Sequence, residues 1–128
     1  MFDLSGKVAL VTGIGGPVDA LGNGKAIAML LARQGAIIEG TDIDEAAGAN
    51  TVAAIRDAGG TAYCSCVNAT DQTGVDDWVK ACAAKHGRID ILVNNVGQSE
   101  PGGPTSMTGA TWQAQIALNL AAAFYTMQ

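Results

Sequence analysis

The sequence predicts an α/β fold, a doubly wound parallel sheet represented by its first four or so strands with their helices. Four short apolar runs recur along the chain, each bounded by glycine, Asp or Asn. Stretches of helical periodicity follow the runs. The runs also lack the apolar/polar alternation of a half-solvated sheet, so both sheet faces are expected to be covered by helices. Crossovers of this kind are right-handed, which winds the sheet in both directions from its first strand.

Lys7–Thr12 reads as the first buried strand, between Gly6 and Gly13. Gly24–Gln34 reads as a helix with Ile27, Leu30 and Leu31 at helical spacing and Gly35 as its terminating glycine. Ala36–Thr41 is the second strand. Asp44 is placed to N-cap a helix that runs to about Ala58 and stops at Gly59-Gly60. Thr61–Val67 is the third strand. Asp71 opens a helix with Val75, Trp78, Val79 and Cys82 on one face, ending near Gly87. Ile89–Asn94 is the fourth strand. A loop rich in Gly, Pro, Ser and Thr follows, then a last helix from about Thr108.

That last segment has no charged residue from Pro101 to Gln128. Trp112, Ile116, Leu120 and Phe124 share a face, and alanines fill much of the rest. Such a helix wants cover on more than one side. It is expected to be cut mid-helix, or to dock into something outside this chain. A frayed terminal helix is the simpler alternative.

Composition excludes several functions. The 128 residues suit one domain and carry a formal net charge of −5, with only seven Lys and Arg. A nucleic-acid partner needs a basic face, and none is available. No apolar run approaches the roughly 20 residues of a membrane span. Cys64, Cys66 and Cys82 have no metal-ligand spacing, and one His is present in all. No metal site is therefore expected, and reduced thiols fit a cytoplasmic protein.

Glycine is the informative excess, at 17 residues, clustered between Gly13 and Gly24 and between Gly97 and Gly109. A glycine loop between a strand and a helix lets the backbone approach a pyrophosphate, with helix N–H groups and the helix dipole behind it. Asp42 follows Gly22 by about 20 residues, the spacing of a carboxylate that grips an adenosine ribose. The other reading of Asp42 is an N-cap, a role Asp44 already fits. No Lys or Arg follows until Arg56, so a 2′-phosphate would meet a carboxylate and no nearby cation. The expected cofactor is NAD rather than NADP.

Leu4-Ser5-Gly6-Lys7-Val8-Ala9-Leu10-Val11-Thr12-Gly13, Asn94-Asn95-Val96-Gly97, and Asn119 preceded by Trp112 stand in order from end to end. As a set they resemble the short-chain dehydrogenase/reductase family, in its N-terminal, cofactor-binding half. The resemblance implies a Rossmann-type domain over residues 1–128, truncated in the last helix. It implies hydride transfer between NAD and a small alcohol or carbonyl substrate, and a homo-oligomer with the last helix at an interface. It assigns Gly13, Gly22, Asn23 and Gly24 to the pyrophosphate loop, and Asn68 with Ala69 to the adenine. Asn94 and Gly97 would lie near the nicotinamide ribose, with Asn94 and Asn95 also bonding neighbouring strands. Asn119 corresponds to the one catalytic-tetrad member present.

Three departures accompany the resemblance. Gly13 to Gly22 is about five residues longer than the family spacing, and the insertion carries Pro17 and Asp19. Asn68 replaces the family's aspartate; its carboxamide still offers an acceptor and a donor. The family's catalytic Ser and Tyr-x-x-x-Lys have no counterpart, since the tyrosines are Tyr63 and Tyr125 and neither is followed by such a lysine. The 128 residues alone are therefore expected to be inactive. The alternative to an oxidoreductase is a non-catalytic nucleotide-binding or assembly module.

Overall fold

The computed structural model describes residues 2–16 and 21–128. Pro17 and Asp19, the noted residues of the inserted loop, lie outside the described residues. The elements are β1 (Val8–Thr12), α1 (Asn23–Arg33), β2 (Ile37–Asp42), α2 (Glu45–Asp57), β3 (Thr61–Cys66), α3 (Gln72–His86), β4 (Ile91–Val93), α4 (Gly109–Ile116), a π-helical turn (Ala117–Ala121) and α5 (Ala122–Met127). All strand pairings are parallel, in the order β3-β2-β1-β4. The chain therefore reverses its direction of winding between β1 and β4. In open sheets of this kind ligands bind at the carboxyl ends of the strands, at that switch point.

The two faces of the sheet have separate cores. Ala9, Val11 and Ile38 pack with Ala28 and Ala32 of α1 and with Val52 and Ile55 of α2. Leu10, on the opposite face, packs with Trp78 and Cys82 of α3. The burial of every β1 residue explains its unbroken apolar run.

Two helices differ from expectation. The buried residues of α1 are Gly24, Ala28 and Ala32, while Leu30 is exposed. Small residues at this spacing let the helix axis come close to the sheet, and closeness decides the buried face over side-chain size. The last helix is also not regular. Asn119 donates through Nδ2 to the carbonyl of Gln115 (3.0 Å) and of Gln98 (2.8 Å). Its side chain occupies the carbonyl one turn back, and the backbone widens there into the π-helical turn.

The fourth strand is shorter than the sequence suggests. Asp90 Oδ2 accepts from the Val8 N–H (2.9 Å) in place of a main-chain carbonyl, while the Asp90 N–H still donates to the Val8 carbonyl (2.9 Å). Beyond Val93 the N–H groups of Asn95 and Val96 turn to the Thr12 hydroxyl instead of the sheet. Asp44 caps α2 as expected, accepting from the Ala47 N–H (3.0 Å). Asp71 stands before α3 without a capping bond from its side chain. Cys82 is buried and Cys64 half-buried, but Cys66 is exposed on the edge strand and is not a core residue.

Candidate dinucleotide site at the strand ends

The strand ends are held together by side chains that bond backbone. The Thr12 hydroxyl accepts from the N–H groups of Asn95 (3.0 Å) and Val96 (3.2 Å). Asn95 Nδ2 donates to the carbonyls of Thr12 and Gly13, both at 3.0 Å. This pins the end of β1 to the segment leaving β4. It also fixes the start of the glycine loop, where the Gly13 and Ile14 N–H groups both reach the Thr41 carbonyl (2.7 and 3.1 Å).

The loop returns to α1 at Gly22, the N-cap, which has no capping side chain. The first helical turn carries no acidic residue either. Among the described residues no capping or first-turn acidic side chain offsets its N–H groups and dipole, the setting for a phosphate. Gly24 lets this end approach the sheet: a Cβ there would lie 1.9 Å from the Gly13 carbonyl oxygen. Gly13 and Gly24 are thereby in contact, with Gly22 and Asn23 at the start of the same helix.

Asp42 ends β2 facing the same loop. Its Oδ2 accepts from the Gly15 N–H (2.8 Å) and its Oδ1 from the Asp44 N–H (2.9 Å). Both oxygens are oriented by main chain, and each keeps a lone pair for a further donor. A shallow cavity of about 100 Å³ opens beside it. Gly13, Asp42, Asn68 and Ala69 line it, together with Ile43, Val67, Val96 and Leu118. These last four escaped the sequence reading. Ile43 and Val67 carry a usable signal, an apolar residue at the end of a strand beside a predicted ligand. Leu118 carries none, because only the tertiary fold brings the last helix there. Asn68 Oδ1 accepts from the N–H and hydroxyl of Thr70 (3.0 and 2.8 Å), which fixes the turn.

Asn94 and Asn119 are directed elsewhere. Asn94 Oδ1 accepts from the Thr126 hydroxyl (2.5 Å) and its Nδ2 donates to the Ala123 carbonyl (3.5 Å). Its side chain holds the last helix and does not line the cavity. Asn119 Oδ1 accepts from the Gln98 N–H (3.0 Å), completing a two-way clamp on the loop that follows Gly97. A Cβ at Gly97 would meet that oxygen at 2.8 Å.

A family model, short chain dehydrogenase, matches residues 7–128. The chain belongs to the short-chain dehydrogenase family. Relatives of this family include a D-threitol dehydrogenase of Mycolicibacterium smegmatis, 38% identical over 129 residues, covering 99% of this chain and 47% of that protein. A dehydrogenase/reductase of CLA biosynthesis from Lactiplantibacillus plantarum is 34% identical over 128 residues, covering 100% and 43%. Among solved structures, a putative short-chain dehydrogenase/reductase from Burkholderia xenovorans is 45% identical with a TM-score of 0.91, covering 96% of this chain and 49% of that one. A metagenomic short-chain oxidoreductase in complex with NADP is 35% identical with a TM-score of 0.87, covering 97% and 54%. The chain thus spans about half the length of the curated relatives it matches. The doubly wound sheet is that of the short-chain dehydrogenase structures. No helix among the described residues is long and apolar enough to cross a membrane.

Other ionisable groups lie away from the strand ends. Glu39, buried in mid-β2, is 2.6 Å from His86 Nε2 and 2.8 Å from Lys85 Nζ. His86, the last residue of α3, thus has a specific partner in Glu39. The Cys64 thiol is pushed up to about 11 by burial and by the Asp42 charge, so it is not a nucleophile at neutral pH. Among the described residues no group of His, Cys, Asp and Glu could hold a metal.

Proposed function

We propose that the protein is an NAD-dependent oxidoreductase acting on a small alcohol or carbonyl compound, with residues 1–128 as its dinucleotide-binding half. The Asp42 carboxylate carries this reading. It sits at the end of β2 beside the glycine loop, oriented by two N–H groups and with acceptor capacity left for a ribose diol. A 2′-phosphate would meet this carboxylate together with Asp44 and Glu45, and no cation before Arg56. That repulsion favours NAD over NADP.

The residues present fit the dinucleotide. Gly13, Gly22, Asn23 and Gly24 would receive the pyrophosphate on N–H groups at the uncapped end of α1. Asn68 and Ala69 would border the adenine in the cavity beside Asp42. Gly97 would pass the nicotinamide ribose, with Asn94 behind it as a brace. Bound NAD supplies a hydride acceptor, and its reduced form a donor. Asn119 positions the Gln98 loop and, by resemblance, serves the proton path. That path requires a tyrosine and lysine that Tyr63 and Tyr125 do not provide. We therefore propose that residues 1–128 alone bind the dinucleotide without turnover.

Exposed Trp112, Leu120, Phe124 and Met127 on the uncharged last helix support a homo-oligomer with this helix at its interface. The free cysteines suit the cytoplasm. Calorimetric titration of the full-length protein tests the cofactor assignment. The expected result is NAD+ bound at least about tenfold more tightly than NADP+, a difference of about 1.4 kcal/mol. Asp42→Ala should erase most of that preference. Equal affinities in the unmutated protein would refute it.

A further inference from the structure

We propose that Gly15 and Thr51 are positioning residues that aim the Asp42 carboxylate and so set dinucleotide preference. This rests on Asp42 being the ribose ligand. Residues 13–15 are fastened to the end of β2 and to α2 at successive points. Gly13 and Ile14 donate to the Thr41 carbonyl. The Ile14 side chain is fully buried over Gly40, where a Cβ would come within 2.3 Å of Ile14 Cδ1. The Ile14 carbonyl accepts from the Thr51 hydroxyl at 2.8 Å, and Thr51 itself is wholly buried in α2. The segment so fixed delivers one donor, the Gly15 N–H, to Asp42 Oδ2 at 2.8 Å.

Gly15 has to be glycine for this contact. A Cβ there would stand 2.6 Å from Asp42 Oδ2 and 2.9 Å from the Ala47 Cβ. Both are below real van der Waals approach, so the carboxylate would have to swing away. Its backbone φ is not in the left-handed region, so alanine strains the contact and not the chain. The Thr51 hydroxyl bonds the Ile14 and Ala47 carbonyls and not Asp42, and Thr51 does not line the cavity. Its hydroxyl acts through Ile14, and valine at 51 would leave that buried carbonyl without its donor while keeping the volume.

A carboxylate that recognises a diol must present its free lone pairs in one direction. With two N–H groups holding it, that direction is set before the ligand arrives, and ordering it costs nothing on binding. NADP+ gains nothing from the same arrangement, since its 2′-phosphate is repelled from any nearby orientation. Loosening the carboxylate therefore weakens NAD+ selectively.

The test is calorimetric titration of the full-length protein with NAD+ and with NADP+, for the unmutated chain, Asp42→Ala, Gly15→Ala, Thr51→Val and Thr51→Ser. Gly15→Ala should weaken NAD+ about tenfold, the loss of one charge-assisted hydrogen bond, with a much smaller change for NADP+. Thr51→Val should move the ratio the same way by a few-fold, and Thr51→Ser should restore it. If Asp42→Ala erases the preference while Gly15→Ala and Thr51→Val leave it intact, the positioning role is wrong and the ribose reading stands. If Asp42→Ala changes nothing, the ribose reading fails and takes this inference with it. An equal loss for both ligands would assign Gly15 and Thr51 to loop packing alone and overturn the proposal. Should the variants not fold, the amide-proton shift of Gly15 in the unmutated protein decides. It should follow the titration of Asp42, and an invariant shift would remove the hydrogen bond on which the proposal stands.

Discussion

Removing the Lys85 and His86 partners of Glu39 should show how the fold carries a carboxylate in the middle of a buried strand. The Glu39 side chain is 5% exposed. Its two partners come from adjacent positions at the end of α3: His86, 12% exposed, and Lys85, 44% exposed. A carboxylate accepts only, so His86 donates through Nε2. Lys85 Nζ also lies 3.1 Å from the centroid of the Tyr63 ring, and Tyr63 is the register partner of Glu39 on β3. Lys85→Ala removes a half-solvated ion pair and a cation–π contact, each about 0.5–1 kcal/mol. His86→Ala removes a buried hydrogen bond to a charge, about 1.5–3 kcal/mol. The double variant leaves Glu39 buried with neither partner, a loss of about 3–5 kcal/mol. Either donor can partly cover for the other, so the double loss should exceed the two single losses together by at least about 0.5 kcal/mol. Urea unfolding of the full-length protein, followed by circular dichroism, measures all three. Strictly additive effects, each below about 0.5 kcal/mol, would refute the view that this pair satisfies the buried Glu39 carboxylate. Glu39→Leu supplies the converse check. An apolar side chain of similar volume needs no partner, so its stability should approach or exceed the unmutated value.

Two further outcomes follow from ionisation. Asp90 is held well below the usual carboxylate range by the Arg88 guanidinium and the Val8 N–H, with Lys7 assisting. Its stabilising effect is present above the unfolded carboxylate value and is lost as pH falls toward the folded one. Asp90→Asn should thus lower the melting temperature at pH 7 and narrow the gap to the unmutated protein by pH 3; an unchanged gap would contradict the assignment. Thiol labelling of the native protein should modify Cys66 first, because it is exposed. Burial pushes the thiols of Cys64 and Cys82 up to about 11 and about 12. They should therefore react only after unfolding, and fast labelling of all three at pH 8 would count against the packing of β3 and α3.

The site was legible in proportion to how local its signals are. Asp42 could be read from its place at the end of the second strand, and Asp44 from its place before a helix. The Gly13–Gly24 loop could be read because strand, glycines and helix adjoin in the chain. The bond from Gly15 to Asp42 could not, because it depends on how Ile14 seats over Gly40. Asn94 and Asn95 look alike in sequence. The fold sends one to the last helix and the other across to β1, since successive residues at a strand end face opposite ways.

The order of strands and helices and the glycines where helices stop follow from residues near one another in the chain. Periodicity, capping and turn chemistry are local, and one sequence contains them. Tertiary structure alone decided which helix faces are buried, why Glu39 is tolerated in β2, and where the last helix unwinds. Gly24, Ala28 and Ala32 are buried because the sheet can come close to them. Glu39 is tolerated because the Lys85-His86 pair of a distant helix arrives beside it. The π-helical turn lies where Asn119 meets Gln98 on a loop that the sheet has placed there. Each depends on contacts between residues far apart in sequence, and their chemistry is fixed only when the chain has closed on itself.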